Sequence, residues 1–258
     1  MLILLSPSKG QDFDCPVPAG ALTVPDLLDR SAVLINVLKK MPVPRLRQLM
    51  AISENLAVLN ADRYRHFSLP FTPQNARPAL FAFKGDVYSR IPVETYDADD
   101  LAHAQAHLRI LSGLYGVLRP LDLIQPYRLE MKTRLKTAAG GNLYRFWGDT
   151  LTANLNAALK KMPSKVLVNL ASSEYIKAVR PRKVRGRLLT VHFREIKNGQ
   201  ARVIAIFAKR ARGMMAHFLL KNRITAPEGI KTFTTDGYRF SPDASDDNNW
   251  VFTRPQPA

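Results

Sequence analysis

Cysteine is nearly absent from this 258-residue chain: Cys15 stands alone. No disulfide can form within the chain, and the composition fits a reducing compartment. Long apolar runs are missing too. The run Met1 to Leu5 is cut by Ser6-Pro7-Ser8-Lys9 and is far too short for a signal-peptide core or a membrane span, so a cytoplasmic protein with no membrane partner is expected. No internal repeat occurs, and no Gly, Ser or Pro linker runs longer than a few residues. Fibrous and repeat classes drop out, and one domain over 1–258 with a flexible tail at 254–258 is favoured. Acidic residues are scarce, 21 against 38 Lys and Arg, which leaves a net charge of +17.

What the chain does contain is enough apolar residue, 46%, to bury a proper core. Its positive charge is unevenly spread. Residues 158–224 hold 17 basic and 2 acidic side chains, and such a concentration repels itself unless an anion offsets it. A polyanion, nucleic acid before others, is the partner the charge implies.

MLILL reads as a strand buried inside a sheet. A Pro-, Gly- and Asp-rich loop at 9–20 precedes a helix that Thr23 could cap, and helical pieces follow at 44–52 and at 53–65, the second capped by Ser53. Ala79 to Phe83 reads as a strand, 97–111 as a helix with Asp97, Asp99 and Asp100 at its positive end, 117–131 as extended, 150–162 as helix and 165–170 as a buried strand. Strands at 187–196 and 201–208 flank Asn198-Gly199, a two-residue hairpin signal. A helix over 209–224 and short strands at 232–234 and 250–253 close the chain. The fold class expected is mixed α/β (α+β), a mixed sheet flanked by helices.

Lys209, Arg210 and Arg212 fall at the expected strand-to-helix junction, where free amides and the helix dipole favour phosphate. Lys177, Arg180, Arg182, Lys183 and Arg185 form a Pro- and Gly-interrupted basic loop suited to following a sugar-phosphate backbone, or simply to facing solvent. Gly113-Leu-Tyr-Gly116, at the end of the expected helix, is either a phosphate-approaching turn served by Arg109, Arg119 and Arg128 or an ordinary glycine C-cap. Asp86, Asp149 and Glu174 sit beside strand-like segments, as acid/base carboxylates or as caps and arginine partners. Asp99, His103 and His107 share a helix face but lack a further ligand, and Cys15 lacks a cation to activate it beyond Lys9, so neither a metal nor a cofactor is expected.

Six phrases carry a resemblance: SPSK at 6–9, FKGDVY at 83–88, LSGLYGVLRPLDLIQPYRLEM at 111–131, YRFWGD at 144–149, NLASSEY at 169–175 and KRARGMMAHF at 209–218. Together the chain resembles the YaaA peroxide-stress protein family. The resemblance implies a bacterial cytoplasmic protein of the hydrogen-peroxide response, linked to lower intracellular iron and to protection of DNA from oxidative damage. It also implies a positively charged cleft and a helix-hairpin-helix element that grips DNA without reading sequence, for which the Gly113–Gly116 turn is the candidate. A second expectation is an enzyme acting on nucleobases, nucleosides or nucleotides, with Lys9, Lys84 and Arg210 on phosphate and Asp86 or Glu174 as acid or base.

Overall fold

The computed structural model describes residues 1–18, 20 and 22–257. Its first strand, β1 (Leu2–Leu5), has all four side chains out of solvent. An unalternating apolar run is satisfied only where both sheet faces are covered. Accordingly β1 has parallel partners on both edges, Ile3 opposite Leu108 and Leu2 opposite Leu167.

A short β2 (Gly10–Gln11) is followed by α1 (Leu28–Leu38), α2 (Val43–Met50) and α3 (Glu54–His66). Ser53 caps α3 as expected, its Oγ accepting from Leu56 N at 3.4 Å. Thr23 does not cap α1, which starts five residues later; its Oγ1 donates to Asp122 at 2.6 Å and ties the loop to a later segment. After β3 (Arg77–Pro78), the residues expected as a strand form one helical turn, α4 (Ala79–Ala82), whose first amides find the carbonyls of Asp122 and Pro120. Only β4 (Phe83–Lys84) is extended there, antiparallel to β2.

Asp97 and Asp100 form a reciprocal capping box at the start of α5 (Ala98–His107). The helix ends four residues before the expected position because Leu108–Ser112 is β5, the parallel neighbour that β1 requires. An antiparallel β6 (Gly116–Leu118) follows directly, so the Gly113–Gly116 turn joins two strands and not two helices, and the helix-hairpin-helix expectation is not confirmed. Next come β7 (Leu123–Ile124), paired with β3, then α6 (Leu143–Trp147), α7 (Thr150–Lys160), β8 (Val166–Asn169) and α8 (Ser173–Ile176).

The hairpin of β9 (Arg187–Lys197) and β10 (Gln200–Arg202) turns at Asn198 and Gly199, both at positive φ, 52° and 73°. The strand expected to run to 208 stops at Arg202, and α9 (Ala205–Lys221) begins four residues before Lys209. A short apolar run does not distinguish strand from helix by pattern alone. The region expected as a strand at 232–234 is a tight turn and loop; β11 (Arg239–Phe240) and β12 (Asn249–Pro255) complete the sheet. Arg254 and Pro255, expected in a tail, therefore belong to β12, while Ala258 lies outside the described residues.

Among the described residues eight strands make one mixed sheet in the order β11-β12-β9-β8-β1-β5-β6, with β10 on β9. The five central strands from β12 to β5 are parallel. One contiguous apolar cluster holds sheet and helices together. Inside it, Glu195 of β9 is fully enclosed; its carboxylate accepts a hydrogen bond from Tyr238 Oη and is ion-paired with Arg254, whose Nε stands 3.5 Å away, while Arg254 also reaches Asp236. Burial and the Glu195 carboxylate push the Tyr238 phenol up, so it stays the donor. No helix is long and apolar enough to cross a membrane among the described residues.

His103 and His107 stack on α5 with centroids 4.2 Å apart, and His107 Nδ1 lies 2.8 Å from the Met1 carbonyl; the rings stack face to face and do not converge on a common point. Burial first, then the charges of His107, Arg223 and the amino terminus, lowers His103 from 6.5 to about 4, with Asp100 acting the other way. The unfolded chain binds this proton near pH 6.5 and the folded chain only near 4, so the stability contribution is present above 6.5 and lost as pH falls toward 4. Urea midpoints at pH 7 and pH 5 check this: His103→Gln loses less between the two than the wild type does.

Candidate functional site: a cleft at the strand ends

In the sheet order, β1 and β8 are neighbours, yet β1 leads on toward β5 and β8 toward β9 on opposite sides. Where the connections leaving adjacent parallel strands part, a crevice opens beyond their carboxyl ends. A cleft of about 360 Å³ occupies that place. Ser6-Pro7-Ser8-Lys9 enters it from β1, and Leu170, Ser172 and Glu174 from β8. The two strand ends are tied, since Ser172 N donates to Ser6 Oγ at 2.8 Å and the two hydroxyls are 3.3 Å apart.

One wall is made by Gly85–Tyr88 with Lys209 and Arg212 of α9. Gly213 brings them together: a Cβ there would lie 2.0 Å from the Val87 carbonyl oxygen, so only glycine lets α9 approach. The facing wall is Tyr127–Lys132 with Glu174 and Tyr175. It is set by a second close approach, where a Cβ on Gly113 would lie 2.1 Å from the Leu129 carbonyl oxygen. Ser112 Oγ, 2.8 Å from Tyr127 Oη, also accepts from the amides of Leu114 and Tyr115, and Trp147 Nε1 donates to the Gly113 carbonyl. The Gly113–Gly116 turn is thus buried with its polar groups engaged, and it offers no backbone face to a phosphate. Its glycines serve packing: at Gly116, φ 73°, a Cβ would meet Leu27, Trp147 and Leu151 at 2.9 Å.

Glu130 is the ionic hub of the cleft, with Lys9 Nζ at 3.0 Å, Arg128 Nη2 at 3.3 Å and Lys132 Nζ at 3.4 Å. Burial pushes its carboxyl up, but the hydrogen bonds and charges of Lys9 and Lys132 outweigh this and hold it below its usual value. It is therefore a carboxylate at neutral pH, an acceptor and counter-ion and not a proton donor. Glu174 accepts from Lys132 N at 3.1 Å, and Asp86 has Lys209 at 3.8 Å and Arg210 at 4.0 Å. Arg212 differs from all of these: among the described residues no carboxylate stands within ion-pair distance and no acceptor bonds its guanidinium, while burial lowers its pKa.

Of the expected cations, Lys9, Arg128, Lys209 and Arg212 line this cleft together with Asp86 and Glu174. Arg210 stands beside Asp86, and Lys84 faces Asp12 at 3.5 Å just before Gly85. Because α9 starts at Ala205, Lys209, Arg210 and Arg212 lie within the helix body and not at its amino end, so side chains and not helix amides supply the charge. Lys177, Arg180, Arg182, Lys183 and Arg185 are exposed but outside the cleft. Their segment lies along α7, with Arg180 N on Thr152, Arg185 N on Asn156, and Arg180 and Lys183 both on Asp149 at 2.8 and 2.6 Å. Asp149 is thereby an arginine and lysine partner. Arg109 and Arg119 belong to a separate concavity. Arg109 donates to the carbonyls of Gln105, Ala106 and Leu108 that end α5, and burial lowers it to about 10; Arg119 pairs with Asp26 and Asp122 at 3.2 and 2.9 Å. Cys15 is buried with its thiol pushed up, first by burial, so it is no thiolate.

Sequence reasoning did not single out Glu130, Lys132, Ser6 or Tyr175. The signal was present in QPYRLEM and SPSK, but only the fold shows that 127–132 faces α9. A second concavity of about 380 Å³ adjoins the cleft and shares Arg128, Glu130 and Lys132 with it, adding Arg45 and Arg134 on its far side.

Comparison with known proteins agrees in one direction. The family model described as peroxide stress protein YaaA matches residues 1–244. The chain is similar to a UPF0246 protein of Hahella chejuensis, 53% identical over 254 residues covering 98% of this chain and 99% of that one. It is also similar to UPF0246 proteins of Ralstonia nicotianae, 52% identical over 254 residues (98% and 99% covered), and of Teredinibacter turnerae, 50% over 256 residues (99% and 100%).

The glycine contact at the α9 wall is directly testable. Gly213→Ala is expected to lower stability by about 1–3 kcal/mol through overpacking against backbone, read as a lower urea midpoint at unchanged slope. Gly141→Ala, whose Cβ would meet nothing within 4 Å, is the near-neutral control.

Proposed function

The chain belongs to the YaaA peroxide stress protein family, and from that premise we propose that it is a DNA-binding protein of the hydrogen-peroxide response that shields DNA from oxidative damage. The observation that carries this reading is the continuity of two basic concavities. From Lys209 and Arg212, positive side chains lead past Lys9, over the Arg128–Lys132 ridge, to Arg45 and Arg134. A path of that kind suits a sugar-phosphate backbone, and Lys and Arg aimed at phosphates position a strand without reading its bases. The exposed cations at 177–185, which lie along α7 and outside the cleft, add long-range attraction. The lower intracellular iron implied by the resemblance is read as indirect, since no group of three or more His, Cys, Asp or Glu comes together among the described residues.

A second reading is favoured by the carboxylates. Asp86, Glu130 and Glu174 would repel a phosphate backbone, yet they line the same cleft as the cations, and an enzyme acting on a nucleobase, nucleoside or nucleotide would use them as acceptors or bases. Under that reading Asp86→Asn abolishes product formation from nucleotide pools or damaged DNA while duplex affinity stays unchanged.

Salt dependence tests the first reading. With about five phosphates neutralised, the logarithm of affinity for duplex DNA is expected to fall with the logarithm of salt at a slope of about −4.5. Lys209→Ala and Arg210→Ala are each expected to flatten it by about one unit. A slope near zero overturns it.

A further inference from the structure

Lys209 and Arg212 are three residues apart on α9 and so project from one helix face, which Gly213 presses against Val87. Lys209 is partly satisfied by Asp86 at 3.8 Å. Arg212 has no protein acceptor or carboxylate partner among the described residues, and it stands half-buried in the lining of the cleft. A partly desolvated guanidinium with no counter-ion is an open position for an anion with two acceptor oxygens, which it can hold through its fork.

Across the cleft two carboxylates stand among cations. Glu130 and Glu174 present acceptor oxygens, and Glu130 is held ionised by its cations. These groups reject a phosphate but suit donors such as sugar hydroxyls or the amino groups of bases. Val87, Leu129, Leu170 and Tyr175 supply apolar surface between the two ends. A volume of about 360 Å³ is that of a small-molecule site. A cleft of that volume has room for one nucleotide-sized unit and not for a duplex.

We propose that the cleft receives a single nucleotide unit, its phosphate on Arg212 and Lys209 and its sugar or base donors on Glu130 and Glu174. This rests on the nucleic-acid reading above and adds to it what goes inside. The unit comes from one of two sources, a free nucleoside monophosphate or an unstacked nucleotide of a DNA strand, which is most readily turned out where it is mismatched.

Calorimetric titration of the full chain with the four deoxynucleoside monophosphates, the matching nucleosides and inorganic phosphate tests the seat. At least one monophosphate is expected to bind more tightly than its nucleoside and than inorganic phosphate. Arg212→Gln should weaken that binding by about 10- to 100-fold, the loss of a charge-assisted contact, and leave the nucleoside's affinity unchanged. Arg212→Lys, which keeps the charge but not the fork, should fall between, and it serves if the Gln variant does not fold. A duplex with one mismatch separates the sources: preference for it over the matched duplex, lost in Arg212→Gln, identifies a strand nucleotide, whereas monophosphate binding with no such preference identifies a free one. Neither monophosphate binding nor mismatch preference, or binding indifferent to Arg212, overturns the proposal. A steep salt slope on matched duplex would still stand in that case, so the two readings fail separately.

Discussion

Two backbone contacts set the geometry on which the cleft depends. At Gly213 the α9 helix meets the Val87 carbonyl, and at Gly113 the β5–β6 turn meets the Leu129 carbonyl; at both places a Cβ would stand about 2 Å from an oxygen. One contact delivers Lys209 and Arg212, the other Arg128, Glu130 and Lys132. The two walls, each carrying cations and carboxylates, face one another because two glycines, far apart in the chain, allow helix and turn to settle at main-chain distance. Interiors packed to crystal density transmit such contacts instead of absorbing them.

The charge of the protein is arranged more economically than its total suggests. Much of the excess of the 158–224 segment lies on exposed side chains along α7, where Asp149 gathers Arg180 and Lys183. Inside the cleft cations and carboxylates are interleaved, and Glu130 alone holds three basic partners in place. Such a carboxylate keeps Lys9, Arg128 and Lys132 from repelling one another apart, so the site is ordered before any ligand reaches it. Arg212 is the exception, which is why it says most about what the site takes.

Much of this was legible in the residues. The MLILL strand, the Val166–Asn169 strand, the Asn198-Gly199 hairpin and the Ser53 cap rest on local rules, and local rules suffice for them. Lys9, Asp86, Glu174, Lys209 and Arg212 were singled out as polar chemistry and do share the cleft. What escaped depends on partners. Leu108–Ser112 continues an apolar helical pattern with no breaker, and only pairing with β1 makes it a strand. The same change converts Gly113–Gly116 from a helix end into a buried hairpin and removes Arg109 and Arg119 from the cleft. Glu130 sits in a Pro- and Tyr-rich stretch with no periodicity, and nothing short of the folded chain places it opposite α9.

The central position of β1 has a further consequence during synthesis. Its neighbours are Leu108–Ser112 on one edge and Val166–Asn169 on the other, so the most apolar strand of the sheet emerges from the ribosome long before either partner exists. At translation rates of about 5–20 residues per second, the second edge is not available for roughly ten to thirty seconds. Over that interval the nascent segment presents a sticky, unpaired ribbon, a natural client for ribosome-associated chaperones, and the cleft cannot be assembled until β8 has closed the gap.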